Sequence, residues 1–231
     1  MPDQSTSPFA GFSPGAVQFL IDLAANNERA WFQPRKAEYE RLLKEPLEAL
    51  CVTLGERFAA RGVPLDADPS RSPFRIYRDV RFSKDKSPYK THVAASFGYA
   101  GDMDRAHGVG GYFHLSPGEA YVGGGMWHPE PARLAAFRSA VVSDGAAVRA
   151  LVSDKAFVRA FGQVSGERLK RVPSGFAADH PDAELLKLKD VTFGRQLDDD
   201  DVLSPRLPDI ITDAFVAGIP MLRFLSGLAA A

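Results

Sequence analysis

Gly111-Tyr-Phe-His-Leu115, then Ser116-Pro-Gly118, then Glu119-Ala-Tyr-Val-Gly-Gly-Gly125 decide the fold class. Two short runs with aromatic and branched residues flank a Ser-Pro-Gly cluster, so the segment reads as a β-hairpin. Residues 92–99 supply another strand candidate, separated from the hairpin by a loop over residues 100–108. Further upstream, residues 74–82 alternate. Phe74, Ile76, Val80 and Phe82 fall on one face, and Arg75, Tyr77, Asp79 and Arg81 on the other. A turn over residues 83–88 follows. Residues 167–172 and 190–196 read as two further short strands. Strands this close in sequence, joined by short turns, favour antiparallel pairing.

Helical signals gather at both ends of the chain. Ser13-Pro14 resembles an N-cap followed by proline at the first helical position. Val17, Leu20, Ile21 and Ala24 then share one helical face. A second helical region spans about residues 28–60, where Pro34 and Pro46 divide or kink it. Leu43, Leu47, Leu50, Leu54 and Phe58 form its apolar stripe. Residues 129–142 and 147–161 are helical, the acidic run Asp198–Asp201 starts a helix, and helix returns over residues 205–228. The apolar stretch 210–231 is interrupted by Asp213, Pro220 and Arg223, so it reads as a packed helix pair and not as a membrane span. The expected fold is α+β: a mainly antiparallel central sheet with helices from both ends of the chain packed on it. The expected organisation is a disordered tail over residues 1–8 and a single domain over residues 9–231.

The 231 residues carry a formal net charge of -1, which argues against a generally basic nucleic-acid-binding protein. With 45% hydrophobic residues the chain can bury a core without disulfides, and its one cysteine, Cys51, excludes an internal disulfide. That lone thiol and the absence of a signal-like N-terminus point to the cytoplasm.

Charge is concentrated between residues 71 and 92. Arg71, Arg75, Arg78, Arg81, Lys84, Lys86 and Lys90 stand there against only Asp79 and Asp85. Arg78 shares a strand face with Ile76, Val80 and Phe82. Burying an unpaired guanidinium is costly, so an anion must meet it, either a protein carboxylate or a ligand. Asp79 can pair with Arg75 or Arg81 but cannot neutralise both. Ser83, Lys84, Lys86, Ser87, Tyr89 and Lys90 add hydroxyls, ammonium groups and turn N–H groups, the usual parts of a phosphate or carboxylate site. Asp85 either orients Lys86 or receives a metal. Lys86-Ser87 lacks the preceding glycines of a Walker A loop. The glycine run Gly123-Gly124-Gly125 leaves room either for a ligand over the sheet or for close packing. His92 and His114 fall on candidate neighbouring strands, but no histidine pair has a helical metal spacing.

Four blocks carry a resemblance: Phe9-Ala-Gly-Phe12, Asn26-Asn-Glu-Arg-Ala-Trp-Phe32, Arg78-Asp-Val-Arg-Phe-Ser-Lys-Asp-Lys-Ser-Pro-Tyr-Lys90 and Gly123-Gly-Gly-Met-Trp-His-Pro129. Together they resemble an uncharacterised conserved family, a domain of unknown function of about this size, over nearly the whole chain. The resemblance implies one shared domain and no catalytic assignment.

The expected function is binding of a small anionic ligand, phosphate- or carboxylate-bearing, in a basic pocket. Arg75, Arg78 and Arg81 hold the anion, Ser83, Lys86 and Lys90 close over it, and Tyr89 and Trp127 wall it. If the pocket is catalytic, Lys86 or His92 is the candidate acid or base, and transfer or hydrolysis of a phosphorylated compound is the reaction class. Two alternatives stand beside this. One is a nucleic-acid-binding module, since Phe74, Tyr77, Phe82 and Tyr89 interleave with the cations. The other is a non-enzymatic domain whose basic face docks an acidic partner. No cofactor, resident metal or membrane contact is expected. The sequence carries no signal for an oligomeric state.

Overall fold

Pro117 and Gly118 alone join the two long strands at the centre of the molecule, and Gly118 takes a left-handed φ of 75°. The computed structural model describes residues 8–100 and 108–228. The expected tail, apart from Pro8, and most of the expected loop over residues 100–108 lie outside the described residues.

The N-terminal end is helical up to Arg61: α1 (Pro14–Ala25), α2 (Arg29–Phe32), α3 (Lys36–Tyr39) and α4 (Glu45–Arg61). Pro34 lies in a short 3₁₀ segment between α2 and α3, and Pro46 lies in the first turn of α4, just after a π-helical stretch over Glu40–Lys44 that runs straight into that helix. Gly62 closes α4 at φ 64°. The strands are β1 (Leu65–Asp66), β2 (Val93–Tyr99), β3 (Val109–Ser116), β4 (Glu119–Met126) and β5 (Val191–Gln196). They pair in the order β1-β2-β3-β4-β5, each antiparallel to the next. Between β4 and β5 come α5 (Pro131–Ser143), α6 (Gly145–Val152), α7 (Lys155–Phe161) and α8 (Ala183–Leu186). Then α9 (Asp199–Leu203) and α10 (Leu207–Ser226) close the chain. The fold is α+β, with helices from both ends of the chain around an antiparallel sheet.

The register assigns the faces. Val93, Ala95 and Phe97 of β2 pair with Leu115, Phe113 and Gly111 of β3, and Ala120, Val122, Gly124 and Met126 of β4 continue that face. Helices α4 and α10 cover it. At its centre Phe58 of α4, Phe97 of β2 and Phe215 of α10 meet edge to face, with centroids 5.7–6.2 Å apart. Gly111 lies beneath Phe215: a Cβ there would stand 2.6 Å from the ring. Close helix-on-sheet packing is therefore what this glycine serves. The run Gly123–Gly125 has a similar use, because Cβ atoms there would meet neighbouring strand carbonyls at 2.2–2.8 Å.

Three expected elements differ. Residues 74–82 form no strand. Pro73↔Ala95 and Tyr77↔Tyr89 are isolated bridges, and Phe74 and Phe82 are exposed while only Ile76 is buried. Proline at 73 and 88 removes ladder donors, and side-chain bonds within the turn replace them. Residues 167–172 likewise give only the bridge Arg168↔Leu188, next to Ser165↔Thr192. The C-terminal helix pair is one helix. Pro220 takes its own N–H out of the ladder, yet Met221, Leu222 and Leu225 extend the buried stripe of α10 across it. Packing outweighs the local penalty. Among the described residues no helix is long and apolar enough to cross a membrane.

Candidate functional site on the open face of the sheet

The face opposite α10 is built from the alternate residues: Ala94, Ser96 and Gly98 of β2, Gly110, Tyr112, His114 and Ser116 of β3, and Tyr121 of β4. Tyr112, His114 and Tyr121 are half-buried and stand outside the apolar core. Their rings touch. His114 stacks on Tyr121 at 5.0 Å, Tyr112 lies 5.6 Å from Tyr121, and Phe74 lies 6.2 Å from Tyr112. His92 reaches in from the start of β2, 4.6 Å from His114.

Three of these side chains form a hydrogen-bonded chain along β3. Tyr112 Oη is 3.3 Å from His114 Nδ1, His114 Nε2 is 3.1 Å from Ser116 Oγ, and Ser116 Oγ donates to Glu119 O at 3.2 Å. With the serine proton given to that carbonyl, the neutral imidazole donates from Nε2 and turns its Nδ1 acceptor to Tyr112 Oη, which also hydrogen-bonds the Tyr121 hydroxyl. The chain thus ends at the backbone carbonyl of Glu119. Burial lowers the His114 pKa, which keeps the ring neutral. Burial, then His114 and Lys90, bring His92 down to about 4. Burial also raises Tyr112 and Tyr121, so both phenols stay protonated.

At the edge of this face stand Lys90 and Arg75. Lys90 Nζ sits 5.0 Å over the Phe74 ring. Burial lowers its pKa, and the neighbouring Arg75 lowers it further. Among the described residues neither cation has an ion pair or a side-chain hydrogen bond.

The remaining cations of the segment are held by their own turn. Arg78 pairs with Asp85 and reaches Ser87 O at 3.3 Å and Ser83 Oγ at 3.5 Å. Asp85 also accepts from the Ser87 backbone at 2.9 Å and hydroxyl at 2.6 Å, and these bonds with Arg78 hold its carboxyl well below the usual range. Arg81 grips Asp79 with Nη2–Oδ2 at 2.7 Å, holding that carboxyl near 2. Lys86 donates to Val80 O at 2.9 Å. Asp79 therefore pairs with Arg81 and meets Arg75 only through its charge, and Asp85 takes Arg78 in place of Lys86.

Tyr89 is buried, and its role is to anchor the turn. The Asn27 side chain donates to Tyr89 O at 2.9 Å and accepts from Tyr89 N at 3.0 Å, copying a strand partner. Phe32 stacks on its ring at 4.1 Å. Trp127 lies past the far end of β4, roughly 20 Å from Tyr121 at ~3.3 Å per strand residue. It stacks on His128 at 4.0 Å. His128 takes a φ of 48°, and its backbone N–H and Nδ1 both meet the buried Asp190 carboxylate, at 2.6 and 3.0 Å.

Of the sequence-derived site residues, the structure brings Arg75, Lys90 and His92 together. Arg78, Arg81, Ser83 and Lys86 stay in the turn, Tyr89 lies in the core, and Trp127 lies at the other end of the sheet. Tyr112, Tyr121 and Asn27 escaped the sequence reading. Folding the chain about Pro117-Gly118 and counting in twos would have placed both tyrosines beside His114. Among the described residues no cluster of three His, Cys, Asp or Glu side chains suits a metal ion.

The sequence matches the family described as conserved hypothetical protein (DUF2461) over residues 15–224. The chain belongs to this family. DUF2461 thus spans α1 through most of α10, including both the sheet and the turn that Asn27 anchors. No curated protein and no solved structure matches the chain.

Proposed function

We propose that this DUF2461 protein binds a small anionic ligand, phosphate- or carboxylate-bearing, at the edge of the open sheet face. The observation that carries this reading is the Lys90–Arg75 pair: two adjacent cations, one half-buried, whose one neighbouring acid among the described residues, Asp79 beside Arg75, is already gripped by Arg81. Desolvation and like charge both disfavour that arrangement, and a bound anion relieves both. His92 and the Tyr112 and Tyr121 phenols stand beside it as neutral hydrogen-bonding groups. Arg78, Arg81, Ser83 and Lys86 serve the ligand indirectly, by fixing the turn that carries Lys90, while Tyr89 pins that turn to α2.

The test is thermal melting with added phosphate, sugar phosphates, nucleotides and simple carboxylates. A ligand at about 100 times its Kd stabilises by about 2.7 kcal/mol, a shift of several degrees. Lys90→Ala and Arg75→Ala should abolish the shift, and Arg81→Ala should keep it. A shift that survives both of the first two variants refutes the placement.

A second reading rests on the rings of Phe74, Tyr112, His114 and Tyr121, which form a platform of the kind that stacks single-stranded bases beside Lys90 and Arg75. With Arg75, Lys84 and Lys90 as the cations not engaged inside the turn, binding to single strands should fall with salt at a log–log slope of about -2. A flat salt response removes this reading.

A further inference from the structure

Two lysines among the described residues are half-buried, Lys90 and Lys187. Lys187 is an ordinary ammonium, because Glu184 meets its Nζ at 2.6 Å. Lys90 is placed differently. Its Nζ lies 5.0 Å over the Phe74 ring, and its charged neighbour is the cation Arg75. Asp79, the acid beside Arg75, is gripped by Arg81. The ring contact favours the ammonium, yet burial and then Arg75 outweigh it and draw the pKa down. A lysine that is desolvated and set next to a second cation gives up its proton readily, and the neutral amine is the nucleophile. A neutral base stands beside it. His92 follows two residues on, feels the Lys90 charge, and is held down to about 4.

We propose that Lys90 is a covalent attachment site, whose amine condenses with the carbonyl carbon of an aldehyde or ketone that also carries a carboxylate or phosphate. This rests on the anion reading of the same sheet edge and adds the carbonyl to it. Arg75 holds the anionic group with its planar fork. The Lys90 amine attacks the carbonyl carbon, so a C–N bond forms and the carbonyl π pair moves to oxygen. His92 carries one proton from the nitrogen to that oxygen. A second proton comes from solvent, the C–O bond breaks and water leaves. The nitrogen lone pair closes the C=N bond. The product is a protonated imine, whose positive charge stays beside the bound anionic group.

Trapping tests the inference. The full chain is incubated with pyruvate or with dihydroxyacetone phosphate, reduced with cyanoborohydride, and mapped by peptide mass spectrometry. Lys84, exposed on the same turn, is the internal control. With one or both probes the label at Lys90 should exceed that at Lys84 by about tenfold or more, since only Lys90 has an oriented, anchored substrate. Acetone has the carbonyl and no anionic group, and should show no such preference. Arg75→Ala, at an exposed position where folding is not at risk, should bring the Lys90 label down to the Lys84 level. Lys90→Arg should abolish the excess label yet keep the melting shift with acetate or phosphate, which reports the anion alone. A melting shift in the parent without excess label at Lys90 overturns the imine and leaves the anion reading standing. Neither shift nor label removes both. Equal labelling of Lys90 and Lys84, or parental label in Arg75→Ala, also overturns the inference.

Discussion

The two faces of the sheet use the same strands, residue by residue, and hold together by different forces. On the helix side, Val93, Ala95, Phe97, Phe113, Leu115 and Val122 are buried beneath α4 and α10, and stability there is packing. On the open side, Tyr112, His114, Tyr121 and Ser116 are half-buried and joined by ring contacts and one hydrogen-bonded chain. A closed apolar face resists any loss of volume. The open face tolerates change, because water replaces a lost contact. Polar chemistry collects on the face where losing a side chain costs least.

The sharpest break of that contrast is Phe215→Ala. It empties the centre of the three-ring cluster and should destabilise by about 3–5 kcal/mol in urea unfolding. Tyr121→Ala, on the open face, should cost about 0.5–1 kcal/mol. Equal costs would mean that the faces are not energetically distinct. Next comes Gly111→Val, which pushes a branched side chain into the Phe215 ring and should cost about 1–3 kcal/mol. The melting temperature reports it directly, and a neutral result would show that α10 can lift without loss.

Acid should act on the open face first. His92 titrates near 4 in the folded protein, below its ordinary value, so the unfolded chain takes up the proton first as pH falls. Its contribution is present above about pH 6.5 and is lost progressively down to about 4. His114, also lowered, acts in the same direction. Asp68 and Asp79, held near 2, contribute a second loss below the ordinary carboxylate range. A melting-temperature profile should therefore fall in two stages, and His92→Asn should shrink the upper one. An unchanged upper stage in that variant would place the titrating group elsewhere.

The smallest effect separates the cations of the turn. Lys90→Met keeps the stem over Phe74 and removes a charge that has no acid opposite it, so the variant should melt at or slightly above the parent temperature. Arg78→Ala leaves Asp85 without its partner and should melt lower. The reverse order would mean that Lys90 is satisfied within the protein.

Much of this was legible in the sequence. The hairpin about Pro117-Gly118, the strand now seen as β2, the stripe of α4 and the helical ends all followed from period and turn chemistry, because each is a local property. The false strand over residues 74–82 had the right alternation. Two prolines and a self-contained Asp–Arg turn chemistry overrode it. The positive segment was legible as charge, but not as chemistry. Asp79 and Asp85 lie within a few residues of the arginines they bind, so a dense basic stretch neutralised much of itself.

What the chain alone determined was its class and its elements: helical ends, an antiparallel middle, and a core built on alternating and 3.6-residue periods. These depend on neighbours a few residues away. The tertiary structure decided which charges remain without partners and which rings share a face. Lys90 meeting Arg75 and His92 meeting His114 are contacts between elements. Electrostatic energy depends on distance through space and on burial, and neither is written in residue order.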